Sequence, residues 1–193
     1  YLFSNKIARL MKNAECVLVG NQYLYDYAKL NLCKNIKIIP TVVDIERYDK
    51  ARNKKSEQFT IVWIGSQATV QYLLEVIEPI TKVCNQVNGK LLVVGAKIKI
   101  PNIQLELVEW SQDTEVECLK SAHVGIMPLS DNKWNMGKCG FKIIQYMASG
   151  VPVVASPIGV NTKIISDKKN GFLAHTSDEW FNYIYDIYKG IDK

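Results

Sequence analysis

Short, mainly apolar runs alternate along the chain with longer stretches in which apolar residues recur every third or fourth position. The runs, at 16–20, 36–39, 59–64, 91–94, 105–108, 124–127, 151–155 and 171–174, are too short for helices. They read as strands buried on both faces of a sheet. The spaced stretches read as amphipathic helices. One covers residues 1–13 on Leu2, Ile7, Leu10 and Met11, and another covers 22–30 behind Asn21 as its cap. A longer one runs from Leu73 to about Val87 on Ile77, Ile80 and Cys84, with a kink expected at Pro79. Further helices are expected at 114–122 (capped by Ser111 or Asp113), 141–148, 162–166 and 177–188 (capped by Ser177, with Phe181, Ile184, Tyr185 and Tyr188 as its stripe). Strand and helix alternating this regularly predict an α/β fold with a doubly wound parallel sheet.

The pattern breaks once, at the polar, aperiodic residues 51–58, which read as a linker. It divides 1–50 from a main domain at 59–176, followed by a terminal helix at 177–193. The pieces before the linker are too few for a domain of ordinary size. Either they end a preceding domain or they add a layer to the main one. A first residue of Tyr1 suggests a chain that starts inside a longer protein.

Composition narrows the function classes. Basic residues exceed acidic ones, 24 to 19, giving a net charge of +5, but the densest cluster is only Asn53-Lys54-Lys55. That is a weak footprint for nucleic acid and fits an anionic small molecule better. The five cysteines, Cys16, Cys33, Cys84, Cys118 and Cys139, form no C-x-x-C and have only two histidines for company, so no metal site and no disulfide framework is expected. Such usage fits a reducing, cytoplasmic setting. No apolar run nears the length of a membrane span. The G-x-G-x-x-G and G-x-x-x-x-G-K-[ST] turns are absent, which removes the characteristic signatures of dinucleotide and P-loop folds. Asp44-x-Glu46 has the spacing of metal ligands but sits where contacts that cap or hinge are the simpler reading.

Ligands of such sheets bind beyond the strand C-terminal ends, where the loops at 65–69, 95–97, 109–111, 128–140 and 156–161 converge. One stretch stands out among them. Gly137-Lys138-Cys139-Gly140 runs into a helix with Phe141, Ile144, Met147 and Ala148 on one face, and Ser149-Gly150 ends it. A glycine turn that opens a helix presents free N–H groups and the positive end of the helix dipole, a site for an anion. Lys138 and Lys142 flank that start and can add charge-assisted bonds, each worth about 1.5–3 kcal/mol. Gln145, one turn further, can bond sugar hydroxyls. Trp110, after the third strand of the main domain, can stack on a base, and Trp134 and Asn135 lie just before the turn.

Residues 137–161 resemble the donor-site signature of the GT-B glycosyltransferases, specifically retaining family 4. Met147-Ala148-Ser149-Gly150-Val151-Pro152-Val153-Val154-Ala155-Ser156 matches its second half. In the first half, Gly137 and Gln145 stand where the family has two glutamates. Ser66 and Gln71 stand where it has an Arg and a Lys after the first glycine, Gly65. Residues 40–48 resemble the family hinge. The resemblance implies the C-terminal, donor-binding half of a two-domain transferase that moves a sugar from a nucleoside diphosphate, UDP or GDP, to a hydroxyl acceptor in glycan or cell-surface polysaccharide synthesis. It implies donor contacts from Gly65, Ser66, Trp110, Gly137, Lys138, Cys139, Gly140, Phe141, Lys142 and Gln145, with Lys138 and Lys142 the candidates for catalysis and Gln145 for the ribose. No cofactor, metal or nucleic acid is expected. A glycan or lipid-linked acceptor, and any contact with the inner face of the membrane, would be met by the preceding domain, leaving this segment inactive alone. A sugar-nucleotide epimerase of the same fold and a non-catalytic nucleotide-sugar-binding module are the alternatives.

Overall fold

A computed structural model describes residues 6–49 and 55–191. The first unit consists of α1 (Lys6–Asn13), β1 (Val17–Val19), α2 (Gln22–Leu30) and β2 (Ile36–Ile38). Its two strands pair in parallel with Val17 opposite Ile36. Its core is small: Val17, Val19 and Ala28 are buried, with Met11, Leu24, Tyr25 and Ile36 packed against them. Leu18 on the outer face of β1 stays 61% exposed.

The junction that follows is more ordered than its sequence suggests. It holds a short helix, α3 (Ile45–Asp49), which the polar pattern hides. Asp44 Oδ1 accepts from the Glu46 amide at 3.1 Å, an Asx turn at the helix entrance, so this carboxylate serves the backbone. Tyr48 is buried among residues of the larger unit, which anchors the junction there. Of the expected linker, residues 51–54 lie outside the described residues. Its last part is held: Lys55 Nζ donates to Ala122 O at 2.6 Å, and the Ser56 amide to Ser121 O at 2.9 Å.

The larger unit proceeds through β3 (Thr60–Ile64), a 3₁₀ turn (Gln67–Thr69), α4 (Val70–Glu75), α5 (Ile77–Val87), β4 (Lys90–Val94), β5 (Gln104–Val108), α6 (Gln112–Ser121), β6 (Val124–Met127), α7 (Lys133–Met136), α8 (Phe141–Ala148), β7 (Val153–Ala155), α9 (Asn161–Ile164), β8 (Phe172–Leu173) and α10 (Ser177–Ile191). Six parallel strands lie in the order β5-β4-β3-β6-β7-β8. Alternate strand residues feed opposite layers. Ile61, Trp63, Leu91 and Val93 meet α4, α5 and α10 on one face, and Val62, Ile64, Leu92 and Val94 meet α6 and α8 on the other. Covering on both faces explains why β4, β6 and β7 read as unbroken apolar runs, whereas the edge strand β5, with Glu106 in it, is largely exposed.

Two expectations are corrected here. The helix beginning near Leu73 does not kink at Pro79 but breaks at Val76, where φ is −115° and ψ is 13°. A proline ring clashes with the carbonyl four residues earlier, and its missing N–H costs nothing in a first turn, so Pro79 ends up in the first turn of α5. The cap of α10 is Thr176 in place of Ser177. The Glu179 amide donates to Thr176 Oγ1 at 3.2 Å and the Thr176 amide to Glu179 Oε2 at 3.1 Å, a capping box that only the Thr-x-x-Glu spacing permits.

The chain leaves β3 outward to β5 and returns to start again at β6, so the winding reverses between β3 and β6. These strands pair only at Ile61–Val124 and Val62–Gly125. Beyond that the Tyr146 hydroxyl takes the place of the ladder, accepting from the Ile64 amide and donating to Ile126 O, both at 3.2 Å. Gly125 makes room: a Cβ there would stand 2.5 Å from the Tyr146 ring. A crevice therefore opens at the strand C-terminal ends, where ligands of doubly wound sheets bind. No helix among the described residues is long and apolar enough to cross a membrane.

Candidate functional site at the strand ends

A cavity of about 510 Å³ occupies that crevice. The turn before α8 forms one wall. Gly140 holds φ +72°, a left-handed conformation that favours glycine, and a Cβ there would stand 2.2 Å from Ile164 Cδ1, so that side chain would have to move as well. No side chain caps α8, which leaves its first-turn N–H groups available to a ligand.

Lys138 and Lys142 line this wall, and among the described residues no acidic one lines the cavity. Lys138 Nζ lies 4.7 Å from the centre of the Tyr72 ring. Lys142 Nζ donates to Gln145 Oε1 at 3.1 Å. Burial pulls both ammonium pKa values below the ordinary lysine value, opposed by Tyr72 at Lys138 and by Glu115 at Lys142. Two partly desolvated cations facing a space without a carboxylate are prepared for an anion.

The opposite wall is Gly65, Ser66, Thr69 and Gly95. Thr69 staples this turn: its hydroxyl donates to Ser66 O at 2.9 Å and accepts from the Ser66 amide at 3.1 Å. The backbones approach closely, since a Cβ on Gly95 would stand 2.6 Å from Gly65 O. Trp110 closes the end. It is 52% exposed, and with Gly95 it separates the cavity from a second hollow lined by Lys97 and Lys99.

Of the residues expected at a donor, Gly65, Ser66, Trp110, Lys138, Cys139, Gly140, Phe141 and Lys142 all line the cavity. Gly137 and Gln145 do not. Gly137 is packed beneath Leu24 of the first unit. Gln145 is fully buried, and its amide is satisfied within the protein by Tyr48 Oη at 3.1 Å, Glu115 Oε1 at 2.7 Å and Lys142. The buried face of α8 is accordingly Ile143, Gln145 and Tyr146, not the apolar face through Phe141, which is 43% exposed. Trp134 points to solvent at 76% exposure. Asn135 is buried and holds its own loop by donating to Ser130 O at 2.8 Å.

Three contributions had no clear mark in the sequence. Tyr72 reaches the cavity because α4 begins directly after the stapled turn. Asn21, besides capping α2, donates through Nδ2 to Met136 O at 3.2 Å and Lys138 O at 3.0 Å, which joins the first unit to the lysine turn. Glu115 is buried on α6 and accepts from Arg47, Gln145 and Trp110. Its position four residues before the core residue Leu119 puts it on a covered helix face, the one signal available. Among the described residues, no group of three or more His, Cys, Asp and Glu is arranged to hold a metal ion.

Comparison with known proteins agrees with this fold. A family model described as glycosyl transferases group 1 matches residues 58–189. No curated protein matches the chain. Among solved structures, TarM is similar with a TM-score of 0.75 at 19% identity, over 99% of this chain and 40% of that one. HepE from Anabaena, in complex with UDP and glucose, is similar with a TM-score of 0.76 at 16% identity, over 99% of this chain and 59% of that one. A variant of TarM from S. aureus, whose complex includes UDP, has a TM-score of 0.72 at 20% identity over 98% of this chain and 40% of that one. The chain thus spans 40% to 59% of the length of these structures. It belongs to the glycosyl transferases group 1 family, whose match falls on the six-stranded unit and covers nearly all of it.

Proposed function

We propose that the cavity holds the diphosphate of a nucleotide sugar and that the whole protein transfers the sugar to a hydroxyl of a glycan or lipid-linked acceptor. The observation that carries this reading is the pair of partly desolvated lysines, Lys138 and Lys142, beside an uncapped helix start in a cavity that no carboxylate lines among the described residues. When the bond between the sugar and the distal phosphate breaks, negative charge grows on the departing phosphate oxygen. Ammonium groups and helix N–H groups already aimed at that oxygen stabilise the charge without reorganising. The lysines thus do in this chain what the absent first-loop Arg and Lys would do elsewhere in the family. The base lies toward Trp110, and Cys139, Gly140 and Phe141 supply the main chain around the phosphates. The complexes of HepE and TarM with UDP make UDP the first nucleotide to test. The acceptor would be met by chain outside this segment, in a cytoplasmic setting with contact at the inner membrane face.

Incubating the whole protein with UDP-sugars and candidate hydroxyl acceptors tests the reading. Equimolar release of UDP and glycosylated acceptor supports it. Conversion of the nucleotide sugar to its epimer, with no transfer, contradicts it.

A further inference from the structure

Glu115 is a buried carboxylate with no place in the cavity, yet both its oxygens are committed to residues that shape it. Oε2 accepts from Trp110 Nε1 at 2.7 Å. Oε1 accepts from Gln145 Nε2 at 2.7 Å and from Arg47 Nη2 at 3.1 Å. The bond to Gln145 fixes which way that amide faces, because a carboxylate accepts and never donates. With Nε2 turned to Glu115 and the Tyr48 hydroxyl, Oε1 must face Lys142, which donates to it. One charge therefore orients an aromatic ring at one end of the cavity directly, and an ammonium in its wall through one intermediate.

Burying a carboxylate is unfavourable unless it is paired and fully bonded. A helix of this unit gains nothing obvious from a Glu on its covered face, where Val116 and Leu119 pack. The partners supply the reason: the residues that gain a fixed geometry are the two lining residues Trp110 and Lys142. Arg47 also donates to Gln112 O at 2.6 Å, so the junction between the two units is tied to the start of the same helix.

We infer that Glu115 is a positioning residue of the donor site, holding Trp110 for the base and, through Gln145, Lys142 for the phosphate. The inference rests on the donor-site reading for the identity of the ligand but not for the arrangement itself. Gln145, standing where the family has a carboxylate, thereby works with a carboxylate supplied by another helix.

The test uses the full chain labelled with 15N at its tryptophan indoles, with Trp110 assigned from Trp110→Phe. In the absence of nucleotide, Glu115→Gln should shift the Trp110 indole resonance and leave those of Trp63, Trp134 and Trp180 in place. Glu117→Gln, an exposed carboxylate on the same helix, should shift none of them. With UDP, Glu115→Gln should weaken binding about fivefold or more, and by less in a Lys142→Met background, since coupled residues are not additive. Trp110→Phe keeps a ring for stacking but loses the indole N–H; it should also weaken UDP severalfold, and it remains informative if Glu115→Gln does not fold. An unmoved Trp110 resonance, or UDP affinity unchanged in both variants, overturns the inference. Failure of the unmodified chain to bind UDP, with the resonance shifted, counts against the donor reading and leaves the positioning role standing.

Discussion

The side-chain amide of Asn21 donates to the carbonyl of Lys138 at 3.0 Å, across 117 positions of chain. The same amide reaches Met136 O, while its oxygen accepts from the Leu24 amide at 2.9 Å. Gly20 beside it admits Cys139: a Cβ there would stand 2.3 Å from the Cys139 sulfur. The turn that carries the lysine is thus held from the first unit as well as from its own. Asn21→Asp keeps an acceptor for the helix cap but turns an anionic oxygen toward two carbonyls. It is expected to cost about 1–3 kcal/mol of stability in urea unfolding, and to weaken UDP severalfold in titration. A loss of stability with unchanged UDP affinity would show that the turn is set by its own unit alone.

Tyr146 spaces the strands that frame the cavity, so its hydroxyl should matter more than an ordinary tyrosine hydroxyl does. Tyr146→Phe leaves the Ile64 amide and the Ile126 carbonyl without this partner in a buried place. A destabilisation of about 2–4 kcal/mol is expected in urea unfolding, from one unsatisfied donor and one unsatisfied acceptor. Gly125→Ala, which pushes a methyl into the Tyr146 ring, should cost about 1–3 kcal/mol by overpacking. Burial also pushes the Tyr146 phenol well above an ordinary tyrosine, so it should resist ionisation in an alkaline absorbance titration.

Lys138 and Lys142 carry a stability cost that their function explains. Each has a folded pKa below its ordinary value because burial disfavours the charged form. The unfolded chain then binds more protons than the folded one between the lowered pKa and the ordinary 10.5. Across that window stability contributed by these groups rises with pH. Lys142→Met should therefore lose that alkaline rise, while UDP binding falls; its stability at neutral pH balances the relieved desolvation against the loss of the donor to the buried Gln145 Oε1. UDP affinity of the unmodified chain should itself decline with pH before an ordinary lysine would deprotonate. An alkaline rise in stability that persists undiminished in Lys142→Met would contradict this account.

Much of this arrangement was legible in the residue pattern, and the exceptions have common causes. Unbroken apolar runs announce strands covered on both faces, and 124–127 and 91–94 fall where expected. The glycine turn before α8 was legible because positive φ and an open helix start demand particular residues. Periodicity is weakest where a polar residue has a buried partner far away in the chain. Gln145 looks like a ligand group by type, yet its partners come from positions 48 and 115. Asn21 serves a local helix and a distant segment, and only the local role leaves a mark in sequence, while the Glu115 carboxylate serves residues outside its own helix. The short helix at 45–49 is set by Tyr48 entering the core of the larger unit, a tertiary contact with no local signature.

The most direct test of the central claim is calorimetric titration of the protein with UDP, GDP, ADP and CMP, repeated on Lys142→Met. The account predicts that one nucleoside diphosphate, UDP first, binds, and that the substitution weakens it tenfold or more, about 1.4 kcal/mol, with the fold intact. Binding of equal strength in the two proteins would contradict the claim that this cavity and its lysines hold the diphosphate.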